Sequence, residues 1–220
     1  MLPSSSSAIG SPKLPLRTAY VRAALALIVA GATRLRARSV VTDAMIENNI
    51  TYLLVHEMSQ AQKLGVLGVS GILLFDSRVN TAADPTDPLV RGEIDIKFRW
   101  EEYPNLHERY LAVEAKKLRG KGHSLADKYV TGGVADFVSA KYSRGHDHGI
   151  MLGYIVVPPT AAAIAKVATV MNKRRSTTGE QSPFATDSSL CSHPETHRSV
   201  HQQTGTSAPI TLVHLFLDFC

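Results

Sequence analysis

The chain has 220 residues, of which 44% are hydrophobic and 20% charged, a balance typical of one globular domain with a core of its own. This length is too short for two large domains, and the two cysteines, Cys191 and Cys220, provide no disulfide framework, so we expect a reduced cytoplasmic protein. The net charge of +5 favours an anionic partner over a cationic one.

The N-terminal region combines a polar tail with an apolar segment. Residues 1–15 are rich in Ser and Pro and predict a disordered tail, which leaves residues 16–220 as a single domain. The stretch Ala23–Ala32 imitates a secretory signal, but it is short for a bilayer span, starts far from Met1 and is followed by basic residues. We therefore expect an amphipathic or buried helix over Leu16–Arg38 and no membrane partner.

The next segments predict a helix followed by a strand. Apolar residues recur at helical spacing over Thr42–Leu64, with Thr42 or Asp43 available as the N-cap. Gly68–Ser77 is typical of a short buried strand. Residues 80–92, rich in Pro, Asp and Gly, predict a loop.

Two alternating runs, Glu93–Trp100 and Arg109–Leu118, predict an antiparallel pair of strands. The remaining elements complete an α/β sandwich around a mixed sheet. They are a helix over Ser124–Ser143 that contains two adjacent glycines, a doubly covered strand over Gly149–Val157, a helix over Thr160–Arg175, a polar loop over residues 176–207 and a last strand over Ile210–Phe219.

Charged residues concentrate at one end of the predicted strand pair. Because side chains alternate along a strand, Glu114 and Lys116 share one face, and Ala115 points the other way. If the strands pair, Asp95 on the neighbouring strand converges on Glu114 with Lys116 alongside. One or two carboxylates with water are what Mg²⁺ prefers, so this pattern predicts a divalent-cation site.

Asp95 in "GEIDIKF", followed by Glu114-Ala115-Lys116 in "LAVEAKKL", resembles the motif of the PD-(D/E)XK phosphodiesterases, the restriction-endonuclease-like nucleases. The resemblance spans roughly residues 43–157 and depends mainly on the order of elements. Ile94 stands where the family pattern has proline, a change that leaves the metal ligands in place. The resemblance implies an α/β fold with a restriction-endonuclease-like mixed β-sheet flanked by helices.

The resemblance also implies residue roles. Asp95 and Glu114, with the carbonyl of Ala115, would hold Mg²⁺, with Mn²⁺ as a substitute, and Lys116 would orient the attacking water or stabilise developing negative charge. Such nucleases often carry another acid on the first helix. Glu47 and Glu57 both lie near the apolar stripe of that helix, and we choose Glu47 from its spacing on one helical face.

A second register of the motif also fits the sequence. Asp95-Ile96-Lys97 itself matches the second half of the motif, with Asp84 or Asp87 as the first acid. We prefer Asp95 with Glu114, because the Pro-rich loop that contains Asp84 and Asp87 holds a fixed carboxylate less easily.

Two further stretches have competing interpretations. The basic run Lys116–His123 is either a contact to the DNA backbone or a solvated loop. His193, His197 and His201 recur every four residues, but Pro194 and the lack of a thiolate or carboxylate at zinc spacing argue against zinc.

Together these patterns predict a Mg²⁺-dependent endonuclease that acts on DNA in preference to RNA. Specificity would come from loops, from self-association as a homo-oligomer or from a partner protein, because no recognition domain accompanies the core. A stand-alone enzyme of this kind fits bacterial defence against foreign DNA, as the resemblance implies. The alternative is a catalytically inactive nucleic-acid-binding or assembly subunit with the same fold.

Overall fold

The computed structural model describes residues 18–65, 73–80, 93–100, 109–122 and 125–220. The predicted tail over residues 1–15 and nearly all of the predicted loop over residues 80–92 lie outside these ranges. In chain order the elements are α1 (Thr18–Ala37), α2 (Glu47–Lys63), β1 (Leu73–Asn80), β2 (Glu93–Trp100), β3 (Leu111–Arg119), α3 (Ala126–Tyr129), a π-helical turn (Val130–Val134), α4 (Ala135–Val138), β4 (His148–Val157), α5 (Thr160–Lys173), β5 (Glu180–Thr186), β6 (Thr196–Gln202) and β7 (Pro209–Asp218).

The strands form one seven-stranded mixed sheet in the order β1-β2-β3-β4-β7-β6-β5. The first three strands are antiparallel, the central strands β3, β4 and β7 are parallel, and β6 and β5 continue antiparallel beyond β7. The general α/β class and the predicted antiparallel pair of β2 and β3 are confirmed. The predicted strand Glu93–Trp100 coincides with β2.

Helices cover both faces of the sheet and enclose two cores. α1 and α2 pack on one face against apolar side chains of β2, β3, β4 and β7. The segment from α3 to α4 and helix α5 pack on the other face. Alternation along β3 divides its side chains between the layers: Val113 and Ala115 face α1 and α2, whereas Ala112 and Leu118 face α3 and α5. The central strands are therefore buried on both sides, as their nearly continuous apolar runs require.

The predicted loop over residues 176–207 is wrong, because it contains β5 and β6. Hydrophobic periodicity does not reveal β6, since its buried side chains are all polar. They are Thr196, His197, Ser199 and His201.

Two helix predictions also need correction. α2 begins at Glu47 with Ile46 as its N-cap, not at Thr42 or Asp43. The Asp43 carboxylate instead accepts a hydrogen bond from Arg119 Nε at 2.8 Å. The helix predicted over residues 124–143 is shorter and is interrupted by the π-helical turn that contains both adjacent glycines.

Among the described helices, α1 is the one long and apolar enough to cross a membrane, with a mean hydropathy of 1.3. Helices in the cores of soluble proteins and signal sequences meet the same criterion of length and composition. In this structure one face of α1 packs against α2, and Val21, Leu25 and Ile28 are fully buried there. Both cysteines are free thiols.

Candidate active site

The candidate site lies where β2 and β3 separate. Their ladder pairs Phe98 with Leu111 and ends at the pair of Ile96 and Val113. The next residues toward the opening are Asp95 on β2 and Glu114 on β3. The backbone N–H of Ala115 donates to Asp95 Oδ2 at 2.8 Å, so a carboxylate takes the place of the missing strand partner. The strands thus hold the Asp95 side chain directly beside the Glu114-Ala115-Lys116 segment.

Lys116 is the centre of the site. Its ammonium donates to Glu114 Oε1 at 2.5 Å, to the carbonyl oxygen of Ala115 at 2.8 Å and to Glu47 Oε1 at 3.2 Å. The ammonium therefore bridges a strand carboxyl, a strand carbonyl and a helix carboxylate. Because α2 and the lysine stem lie on opposite faces of the sheet, the gap between β2 and β3 is what lets them meet.

Glu47 binds β3 with both carboxylate oxygens. Oε1 accepts from Lys116, and Oε2 accepts from the backbone N–H of Lys117 at 2.7 Å. Lys117 also holds the segment that precedes α2, since its ammonium donates to the carbonyls of Asp43 at 2.8 Å and Met45 at 3.0 Å. The first turn of α2 is therefore anchored to the motif strand, which brings Glu47 to the site.

Burial shifts the proton affinities of all three groups on the strands. Burial and the charge of Asp95 raise the pKa of Glu114 to about 8, although Lys116 opposes this. Burial also raises the pKa of Asp95 despite its hydrogen bond from Ala115. Burial alone would lower the pKa of Lys116, but Glu114, Glu47 and Asp95 raise it above its ordinary value. Lys116 is therefore a permanent cation in a group of acids, a combination found at functional sites.

The oxygen atoms of this site fit a hard divalent cation. Glu114 is 5% exposed, and its Oε2 is buried and accepts no hydrogen bond from any described residue. A buried carboxyl oxygen without a partner is unusual, and it favours a ligand that supplies positive charge. Within the described ranges no three His, Cys, Asp or Glu side chains form a closed metal cage. Mg²⁺ needs no such cage, since it keeps several waters.

The π-helical turn and α4 contribute residues that sequence reasoning missed. A Cβ on Gly133 would lie 3.7 Å from Lys116 Cγ, so the turn runs directly beside the lysine stem. The charge of Asp136 contributes to the raised pKa of Glu114, and Asp136 pairs with Lys141 at 2.6 Å. Tyr142 donates to the carbonyl of Glu93 at 2.9 Å. The sequence places the paired glycines inside a predicted helix, but nothing in it indicates that the helix is interrupted there or which strand the glycines approach.

The alternatives left open by the sequence lie elsewhere in the structure. Glu57, the other helix acid, is buried in ion pairs with Arg34 at 3.0 Å and Arg38 at 2.6 Å. In the second register of the motif, Lys97 Nζ lies 4.4 Å from the centre of the Tyr110 ring. Asp84 and Asp87 fall outside the described residues.

The basic run is divided between structural and exposed cations. Lys117 and Arg119 bind the segment before α2, whereas Lys121 is exposed and His123 lies outside the described residues. The three spaced histidines form no common site. His197 stacks on Phe184 with ring centres 4.7 Å apart, and His201 hydrogen-bonds to Ser199 and to the carbonyl of Thr178.

The structure brings Glu47, Asp95, Glu114 and Lys116 together, with the Ala115 carbonyl among them. Such a group of oxygens can bind a hard cation, and the lysine can present a positive charge to an anionic substrate. No protein-family model, curated protein or solved structure matches this chain.

Proposed function

We propose that this protein is a metal-dependent phosphodiesterase that cleaves DNA, with a restriction-endonuclease-like arrangement of its mixed sheet. One observation carries the proposal: Lys116 lies between Glu47 and Glu114 at the point where β2 leaves β3, with Asp95 hydrogen-bonded to the intervening Ala115. An edge strand with protective charges would direct them into solvent. Here the Lys116 side chain is 16% exposed and that of Glu114 is 7% exposed.

The chain's own residues have separable tasks in this mechanism. Asp95, Glu114 and the Ala115 carbonyl would hold Mg²⁺, or Mn²⁺ in its place, and the unpartnered Glu114 Oε2 supports this set. When bound, the ion supplies Lewis-acid activation of the phosphodiester and of its nucleophile. Lys116 places its positive charge next to the scissile phosphate, where negative charge develops. Glu47 orients Lys116 from α2.

The anionic substrate class fits the charge of the chain. The net charge of +5 favours a polyanion, and Lys121 projects from the end of the motif strand into solvent. Contacts of this kind are to phosphate and carry no sequence information. Within the proposal, sequence or structure preference comes from loops, self-association or a partner protein, and the setting is bacterial defence in the cytoplasm.

The proposal is tested by cleavage assays on the full chain. Linear, circular and single-stranded DNA and RNA are incubated with wild-type protein in Mg²⁺, Mn²⁺ or chelator. Asp95→Asn, Glu114→Gln and Lys116→Met should each reduce metal-dependent cleavage by roughly 10²-fold or more, because the first two weaken a proposed metal ligand and the third removes the cation beside the phosphate. Lys121→Met is the matched control, since it removes an exposed cation outside the site. It should retain the rate of cleavage of bound DNA.

Two results would contradict the proposal. If Glu114→Gln keeps full activity, these residues are not the active site. If wild-type protein cleaves no substrate with either metal but still binds nucleic acid, the protein is the non-catalytic binding subunit instead.

A further inference from the structure

Lys116 contacts oxygens that the proposed metal would need. Its ammonium contacts Glu114 Oε1 at 2.5 Å and the Ala115 carbonyl at 2.8 Å. These are two of the three groups that we assign as metal ligands. Mg²⁺ binds its ligands at about 2.0–2.1 Å, so the ammonium and the ion cannot use the same oxygens together.

The surroundings make this competition strong. The Lys116 and Glu114 side chains are 16% and 7% exposed, so solvent screens their charges poorly. Asp95 adds a further carboxylate on the same site. Glu47 and Glu114 therefore share one ammonium, with the Asp95 carboxyl group held close by at the Ala115 N–H.

A third partner of the ammonium lies outside the proposed ligand set. Glu47 Oε1 lies 3.2 Å from the ammonium and is not among those ligands. An ammonium displaced from Glu114 and Ala115 therefore keeps a carboxylate partner in Glu47.

We propose that Lys116 is an internal cation that competes with the divalent metal: it holds the carboxyl groups together in the metal-free protein and moves off Glu114 and Ala115 onto Glu47 when the metal binds. This inference rests on the proposed function, since it concerns the same metal site. It gives the lysine two successive roles, first as a substitute for the metal and then as the cation beside the phosphate. Affinity for metal is consequently lower than Asp95, Glu114 and the Ala115 carbonyl alone would give.

The test is direct binding of Mn²⁺ to the full chain, measured by electron paramagnetic resonance of free Mn²⁺ or by calorimetry. Lys116→Met keeps most of the stem and removes the charge, so Mn²⁺ should bind at least about tenfold more tightly than to wild type. Lys116→Arg keeps a cation and should bind close to wild type or more weakly. Lys121→Met is the control for loss of net charge and should stay within about twofold of wild type.

Thermal unfolding supplies a second measurement that needs no activity. Without metal, Lys116→Met should unfold at a lower temperature than wild type because its carboxyl groups lose their counter-ion. Saturating Mn²⁺ should then raise the midpoint more in the variant than in wild type. If Lys116→Met does not fold without metal, Lys116→Gln, which leaves a hydrogen-bond donor, takes its place in both measurements.

The outcomes separate the two claims. If Mn²⁺ binds wild type and the neutral variants equally, or binds the variants more weakly, the competition is wrong and the proposed nuclease site stands. If Mn²⁺ binds neither wild type nor the neutral variants, both the competition and the metal-dependent function are wrong.

Discussion

At the scale of residues, two glutamates on α2 have different roles because they bind different partners. Glu47 and Glu57 both lie on the helix face that looks into the protein, and both accept two charged or backbone donors. Glu57 binds Arg34 and Arg38, which belong to α1 and its end, so it fastens two helices together. Glu47 binds the ammonium of Lys116 and the backbone of Lys117, so it fastens a helix to the proposed site.

This difference predicts opposite outcomes for one conservative substitution. Glu47→Gln should lower cleavage by roughly tenfold or more, because Lys116 loses its charged partner on α2, with little loss of stability. Glu57→Gln should lower the free energy of unfolding by roughly 1–2 kcal/mol and leave cleavage by the folded protein unchanged. That range is modest because both arginines are partly exposed, Arg34 at 39% and Arg38 at 46%.

Urea unfolding and single-turnover cleavage of the two variants check this pair. If Glu57→Gln loses activity while Glu47→Gln keeps it, the helix acid of the site has been assigned to the wrong glutamate. Spacing on one helix cannot decide between Glu47 and Glu57. The arginines that pair with Glu57 reach it only because α1 packs on α2.

At the scale of elements, the sequence predicts most of the layer that holds the site and misses the far edge of the sheet. Five elements are apolar runs whose period matches a helix or a strand, because their apolar side chains face the cores: β2, β3, β4, α5 and β7. β5 and β6 are not apolar runs, since β5 contains Pro183 and the buried side chains of β6 are polar, among them the hydrogen-bonded pair Ser199 and His201. Hydrophobic periodicity detects buried apolar side chains, so it does not detect a strand whose buried side chains are polar. The shared face of Glu114 and Lys116 follows from strand alternation, whereas the approach of Glu47 and the contact from the π-helical turn depend on tertiary packing.

The π-helical turn gives a prediction with an internal control. A Cβ on Gly133 would lie 2.4 Å from Met151 Cε and 3.2 Å from its sulfur, which is too close, whereas one on Gly132 meets only Lys116 Cε at 4.0 Å. Gly133→Ala should therefore destabilise the protein by roughly 1–2 kcal/mol, less than a rigid neighbour would impose because the methionine tip can move. Gly132→Ala should be neutral or stabilising by up to about 1 kcal/mol, as expected when alanine replaces glycine in a helix.

Chemical denaturation of the two single variants tests the sign, and Gly133→Ala combined with Met151→Ala tests the cause. The double variant should show a coupling energy, because the second substitution removes the atoms with which the new Cβ collides. Purely additive effects of Gly133→Ala and Met151→Ala would show that the turn does not pack on β4 in this way.

At the scale of the whole molecule, a second buried polar network lies away from the site, between β6, β7 and α3. Tyr129 OH and His214 Nδ1 are 2.9 Å apart, His214 Nε2 and Ser199 Oγ are 2.7 Å apart, and Ser199 Oγ and His201 Nε2 are 2.7 Å apart. His201 Nδ1 donates to the Thr178 carbonyl at 2.9 Å. With both histidines neutral, and starting from that carbonyl, which can only accept, each hydroxyl and ring nitrogen has one consistent role.

Burial lowers the pKa of His214 and of His201, and the neighbouring histidines lower that of His214 further. The unfolded chain therefore takes up protons below about pH 6.5 that the folded protein refuses, so this network makes stability fall as pH falls. Glu114 acts in the opposite direction. Its pKa of about 8 means that the folded protein holds a proton between about pH 4.5 and 8 that the unfolded chain releases, so its contribution falls as pH rises.

The histidine network and Glu114 have opposite effects on how stability changes with pH. Each effect is therefore measured by comparing a variant with wild type. In the presence of chelator, the free energy of unfolding of wild type contains a contribution from His214 that falls as pH is lowered from about 7.5 to 5.5. His214→Gln should remove this contribution, which corresponds to about one proton taken up on unfolding and to a slope of roughly 1 kcal/mol per pH unit near pH 5.5. Glutamine suits the position, since its amide can accept from Tyr129 and donate to Ser199 without titrating. Glu114→Gln should have the opposite effect: its free energy of unfolding should fall more steeply than that of wild type as pH is lowered. Urea unfolding across this range measures all three slopes, with His56→Gln, an exposed position on α2, as the control. An unchanged slope in His214→Gln would mean that the folded protein accepts a proton in this network, and the neutral hydrogen-bond chain from Tyr129 to Thr178 would then be wrong.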